Sequence, residues 1–133
     1  ISNAIREILS VTRWESLDYL IVDMPPGLGN ETLDTVQLMP ESEFLVVTTP
    51  SKVAMSTVRK LVEMLRELEI PIAGLINNMK TESSPSIQDE VSGLGVNYLG
   101  DVRFDRGIED VIGDRDGLLG SQFARDLTDI LPV

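Results

Sequence analysis

The sequence has no cysteine and no histidine among its 133 residues. Without thiols there can be no disulfide, no cysteine nucleophile and no thiolate ligand for zinc or iron within these residues. Without imidazole there is no Ser-His-Asp triad. Chemistry is left to carboxylates, amides, lysines or a bound cation. Positive charge is also scarce: 11 Lys and Arg stand against 22 Asp and Glu, a formal net charge of −11. A groove that neutralises nucleic-acid phosphates needs clustered bases, so nucleic acid is not an expected partner. No apolar run approaches the roughly 18 residues of a membrane span, and the first residues show no basic segment leading into an apolar signal core. The expected partners therefore include no membrane, and the expected location is cytoplasmic.

The residues that are present suit a packed domain. Hydrophobic residues make up 42% of the chain, no linker or repeat divides it, and residues 1–133 read as a single domain. The run Asp18-Tyr-Leu-Ile-Val-Asp23 organises that reading. It is apolar without alternation, as a strand covered on both faces is, and it ends in an acid followed by Met24-Pro25-Pro26-Gly27. Two prolines and a glycine cannot continue a ladder. The expectation is a strand that delivers the Asp23 carboxylate to a turn of backbone amides, an arrangement suited to a magnesium-bound phosphate.

The remaining elements follow from apolar spacing. Ile5, Ile8, Leu9 and Thr12 share one side of a helix within Ile1 to Arg13, and Asn30 can cap a short helix carrying Leu33 and Val36. Phe44 to Thr49 predicts a strand, and Ser51 opens a helix of about Val53 to Leu68 with Val58, Leu61, Val62, Leu65 and Leu68 on one stripe. Pro71 to Asn77 predicts a strand ending in Asn77-Asn78. Lys80 to Ser86 reads as a polar loop, and Ile87, Val91 and Leu94 as a short helix. Val96 to Leu99 predicts a further strand. A helical turn near Ile108 to Ile112 and a last helix with Leu119, Phe123, Leu127 and Ile130 or Leu131 complete the chain. Strands and helices alternating at about 25-residue spacing predict right-handed βαβ crossovers, and so an α/β fold with a parallel sheet. Trp14 reads as cover for a junction and Lys52 as a solvated side chain.

These segments resemble the Mrp/ApbC branch of the MinD- and ParA-like P-loop ATPases. Asp18 to Gly29 is similar to the family's Walker B and switch II region, with its D-x-P-P-G turn. Phe44 to Ala54 resembles the following T-T-P-x-x-V-A segment, Gly74 to Met79 the next strand end, and Leu99 to Asp105 the L-G-x-[IV]-P-x-D segment. The resemblance implies a P-loop NTPase fold of the SIMIBI type, an ATP-binding and hydrolysing function, and an ATP-gated homodimer related to iron–sulfur cluster carriers. By the same resemblance Asp23 holds Mg²⁺ through water, the Gly27 amide faces the γ-phosphate, Asn77 or Asn78 meets the base, and Asp105 lies near base and ribose. Arg103 stands where the family usually has proline, at the wall of the base pocket.

Two family features are absent from these residues. There is no G-K-G-G-x-G-K-[ST] segment, which in the family cradles the phosphates and precedes switch II by about a hundred residues. The sequence therefore reads as the carboxyl-terminal half of the ATPase domain, incomplete at its N-terminus. The polypeptide alone is expected neither to hold ATP tightly nor to hydrolyse it at a useful rate; a turnover assay with Asp23→Ala as the control for contaminating ATPase checks this. There is also no Cys-x-x-Cys pair after the N-M turn, so an iron–sulfur cluster has no thiolate ligand here, although cluster-receiving client proteins remain implied partners. A MinD/ParA-like positioning ATPase and a non-catalytic truncated module that binds a partner are the alternative readings.

Overall fold

The computed structural model describes residues 2–25 and 30–131, which fall into two compact units, Ile1–Ser42 and Glu43–Val133. In the first unit α1 (Ser2–Val11) packs against α2 (Asn30–Leu38). Ile5 and Leu9 of α1 are half-buried, and Ile8 is exposed. Trp14 returns to the helix it follows: its indole Nε1 donates to the Leu9 carbonyl at 2.9 Å and so satisfies one of the last carbonyls of α1. The buried side of α2 is made by Thr32 and Thr35, and the Thr35 hydroxyl donates to the Met24 sulfur at 3.5 Å.

The strand expected over Tyr19 to Val22 does not form. Residues 19–25 carry no regular structure, and Tyr19, Leu20, Ile21 and Val22 are all exposed, Ile21 by 91%. The physical reason is the ladder: an unbroken apolar run becomes a strand only when neighbours take its N–H and C=O groups. Among the described residues the ladders join only the three later strands.

The second unit is a three-stranded parallel sheet in the order β1 (Phe44–Thr48), β2 (Ile72–Lys80), β3 (Tyr98–Arg103). β2 is central and reads as central, with Gly74 to Asn77 all buried. The helix α3 (Lys52–Glu67) crosses between β1 and β2 and turns Met55, Val58, Val62 and Leu65 inward. Met55 was not part of the expected stripe, and Leu68, which was, is an exposed C-cap. The short α4 (Gln88–Gly93) links β2 to β3 and buries Val91, with Ile87 and Leu94 buried at its two ends. Gly95 follows with φ +63, the left-handed conformation in which helices commonly end on glycine.

The β2–β3 ladder is irregular in two places. Leu75 pairs with Tyr98 and Ile76 with Gly100, so β3 carries one extra residue, Leu99. Asn77 pairs with Asp101 and Lys80 with Arg103, so β2 carries one extra residue between them. Gly74 accommodates the first irregularity, because a Cβ there would lie 2.6 Å from Leu99 Cγ. After β3 come a 3-10 turn (Arg106–Val111), α5 (Arg115–Leu119) and α6 (Gln122–Ile130). The last helix expected as one piece is thus two, broken at Gly120, and Leu118 rather than Leu119 turns inward.

Candidate functional site

The carboxyl ends of β2 and β3 open onto a cleft of about 400 Å³ lined by residues that include Asn78, Met79, Arg103, Phe104, Asp105 and Phe123. This is the edge at which open α/β sheets bind ligands. Local geometry explains why the cleft exists. The extra residue in β2 is a β-bulge, which bends a strand and re-aims its side chains. Met79 within it takes φ +58, uncommon for a residue with a Cβ. The Asn78 side-chain Oδ1 accepts a hydrogen bond from the Met79 N–H at 2.8 Å and supports that conformation. The amide nitrogen of Asn78 then remains as a donor.

Asn77 has a different environment from its neighbour. It is completely buried, its Nδ2 donates to Asp101 Oδ1 at 2.7 Å, and its Oδ1 has no partner among the described residues. The structure thus separates the two asparagines: Asn78 lines the cleft, whereas Asn77 belongs to the sheet interior. Asp105 also lines the cleft, and it fastens two elements there. Its Oδ1 accepts from Gly107 N at 2.9 Å, capping the 3-10 turn, and its Oδ2 accepts from Phe123 N at 3.4 Å at the start of α6. Phe104, 51% exposed, adds an aromatic face beside Met79 and Ile108.

Arg103 is fixed by Asp126 of α6. The Asp126 carboxylate accepts from Arg103 Nη2 at 2.5 Å, from Nε at 3.1 Å and from the Arg103 backbone N–H at 2.9 Å, and Gln122 Nε2 adds a bond at 2.8 Å. The Arg103 side chain is 62% exposed and Asp126 only 5%. The hydrogen bonds from the Arg103 side chain outweigh the burial of Asp126 and hold its carboxyl down at about 2, while the same bonds raise the Arg103 guanidinium.

A second polar cluster centres on Asp101, which accepts from Asn77, from Tyr98 OH at 2.5 Å and from Lys80 Nζ at 2.5 Å. Burial opposes the charge on Asp101, but the bonds from Lys80, Tyr98 and Asn77 prevail and keep its carboxyl below the usual carboxylate range. Burial, then the bond to Asp101, pushes the Tyr98 hydroxyl up. Neither Asp101 nor Asp126 was a sequence candidate. Each left a signal: Asp101 interrupts a strand, and Asp126 sits on the inward stripe of α6 between Phe123 and Leu127. An acid in such a place needs a donor.

Of the phosphate-end candidates, Asp23 is exposed in the irregular segment of the first unit and has no hydrogen bond or ion pair among the described residues. Gly27 lies outside the described residues. No group of three or more His, Cys, Asp or Glu residues that could hold a metal occurs among the described residues. An exposed carboxylate with no partner among the described residues fits Mg²⁺, which keeps several waters and takes one or two carboxylates.

The architecture is that of the MinD- and ParA-type ATPases. It superposes on the Pyrococcus furiosus cell division ATPase MinD with a TM-score of 0.69 and 18% identity, covering 97% of this chain and 54% of that one. The corresponding values for a ParA family ATPase from Chlorobium tepidum TLS are 0.63, 24%, 96% and 53%. The family model described as ParA, NUBPL iron-transfer P-loop NTPase, matches residues 1–110, and the chain belongs to that family. It is 37% identical over 118 residues to the iron-sulfur cluster carrier protein of Methanocaldococcus jannaschii, covering 79% of this chain and 41% of that protein. It is 36% identical over 95 residues to the iron-sulfur cluster transfer protein NUBPL of Mus musculus, covering 71% of this chain and 30% of that protein. The chain thus spans less than half the length of these relatives.

Proposed function

We propose that this chain supplies the base-binding end of an Mg-ATP site in an ATP-binding and hydrolysing protein of the iron–sulfur cluster carrier kind. The observation that carries this reading is the cleft at the carboxyl ends of β2 and β3, where Asn78, Arg103 and Asp105 meet beside the Phe104 ring. The Asn78 amide nitrogen offers a donor to the edge of adenine, and an exposed ring offers a face on which a base stacks. Asp23 would hold a water-bound Mg²⁺, which when present neutralises phosphate charge, and the Gly27 amide would face the γ-phosphate. The phosphate cradle is not among these residues, so the binding they provide is that of the base and ribose. In the working protein two protomers would close on ATP and part after hydrolysis. A cluster would be cargo handed to client proteins, and its thiolate ligands would have to come from outside these 133 residues, which contain no cysteine.

Titration of the ¹⁵N-labelled chain with Mg-ATP tests the proposal. Amides of Asn78, Phe104 and Asp105 should shift together with a dissociation constant on the order of 1 mM, about −4 kcal/mol. Asn78→Ala should weaken that binding at least about tenfold, the equivalent of one lost charge-free base contact or slightly more. Cleft amides that stay still at saturating nucleotide would refute the assignment.

A further inference from the structure

The bulge that places Asn78 and Met79 on the cleft is held from both sides by one carboxylate. Asn77 immediately precedes the bulge and Lys80 immediately follows it. Asp101, on the neighbouring strand, accepts from Asn77 through Oδ1 and from Lys80 through Oδ2. Tyr98, three residues earlier on β3, donates to the same Oδ1. A bulge with a Cβ-bearing residue at positive φ persists only where its surroundings over-determine it. Here the surroundings are a bridge across the ladder gap: the backbone pairing is broken between Asn77 and Lys80, and Asp101 side-chain bonds span that break.

We infer that Asp101 is a positioning residue for ligand recognition, a brace that clamps both ends of the Asn77–Lys80 bulge and thereby presents Asn78 to a nucleobase. The ligand part of this inference rests on the nucleotide reading above; the brace itself does not. Asp101 does not line the cleft, and neither does Lys80. Their removal therefore leaves every group that faces the base in the sequence and changes only how it is aimed. The partly buried setting of Asp101 and Lys80, 30% and 28% exposed, screens their bond less than a fully solvated pair would be.

The test uses the 133-residue chain with Asp101→Asn, which keeps the shape but loses the ionic bond to Lys80, and with Lys80→Met, which removes the other partner. In nucleotide-free protein, exchange of the Met79 amide, held by Asn78 Oδ1, should quicken about tenfold in either variant while the Leu75 amide, bonded to the Asn97 carbonyl, is unchanged. Mg-ATP binding should weaken about five- to tenfold, and the double variant should be no worse than either single one, because both remove the same bridge. If Asp101→Asn does not fold, Lys80→Met alone decides. Unaltered Met79 exchange, or additive losses in the double variant, would overturn the brace. Accelerated Met79 exchange with unchanged ATP affinity would overturn its role in recognition. Failure of the unsubstituted chain to bind ATP would instead sink the nucleotide reading, with Met79 exchange still deciding for or against the brace.

Discussion

Replacing Asp126 by alanine should lower the unfolding free energy of the second unit by about 2–3 kcal/mol, read from urea denaturation at neutral pH. The carboxylate is buried, and it accepts four kinds of donor at once: the Arg103 backbone N–H, Nε and Nη2, and Gln122 Nε2. Removing it leaves the Arg103 backbone N–H without its acceptor at the end of β3. The exposed guanidinium recovers water, which keeps the loss below that of a fully buried pair. Asp126→Asn should cost about 1 kcal/mol, because an amide oxygen still accepts but the charge assistance is gone.

Acid should reproduce part of the same loss in the unaltered protein. The Asp126 carboxyl falls from the ordinary 3.8 to about 2 on folding. Between those values the unfolded chain binds the proton and the folded chain does not, so stability falls as pH drops. The contribution is complete above about pH 4 and is lost as pH falls through about 2. Its size is on the order of 1–2 kcal/mol after allowance for the solvated Arg103. Asp101, also held below the usual range, acts in the same direction. A pH series of urea midpoints in which Asp126→Asn has the same acid limb as the unsubstituted chain would refute this.

Leu65→Ala should cost more, about 3–4 kcal/mol. Leu65 is completely buried on the inward stripe of α3, with Val58 and Val62 along the same face. Its carbonyl also accepts from Ile70 N at 2.8 Å as the chain turns toward β2. A void at this place loses transfer energy and packing together, and alanine's better helix propensity returns only a few tenths of a kcal/mol. Leu61→Ala is the internal control, since Leu61 is only half-buried. Its loss should be about 1 kcal/mol. Equal midpoints for the two variants in urea would contradict the stripe as described.

Much of the second unit was legible because its signals are local. The strands predicted over Phe44 to Thr49 and Pro71 to Asn77 are uncharged runs stopped or started by proline, and α3 carries a helical stripe. Boundaries failed where long-range bonds took over. β2 runs on to Lys80 because the bulge carries pairing past Asn77-Asn78, and β3 starts at Tyr98 rather than Val96 because its register is set by Leu75. Tyr19 to Val22 misled for the opposite reason: composition reports what a segment can pair with, while a strand also needs the pair. In the candidate site, Asn78, Arg103 and Asp105 line one cleft, and Asn77 is not among its lining. The carboxylates that organise the site were hidden because their partners are distant in sequence: Asp126 binds a residue 23 positions away and Asp101 one 24 away.

The two irregularities between β2 and β3 cancel. One residue is gained on β3 at Leu99 and one on β2 before Lys80, so both strands advance five residues from the Leu75–Tyr98 pair to the Lys80–Arg103 pair. Strand side chains alternate with a period of two, and a single uncompensated insertion would invert the parity of everything downstream. The paired insertions restore that parity within one turn of chain. Removal of only one of them would exchange inward and outward residues at the mouth of the cleft.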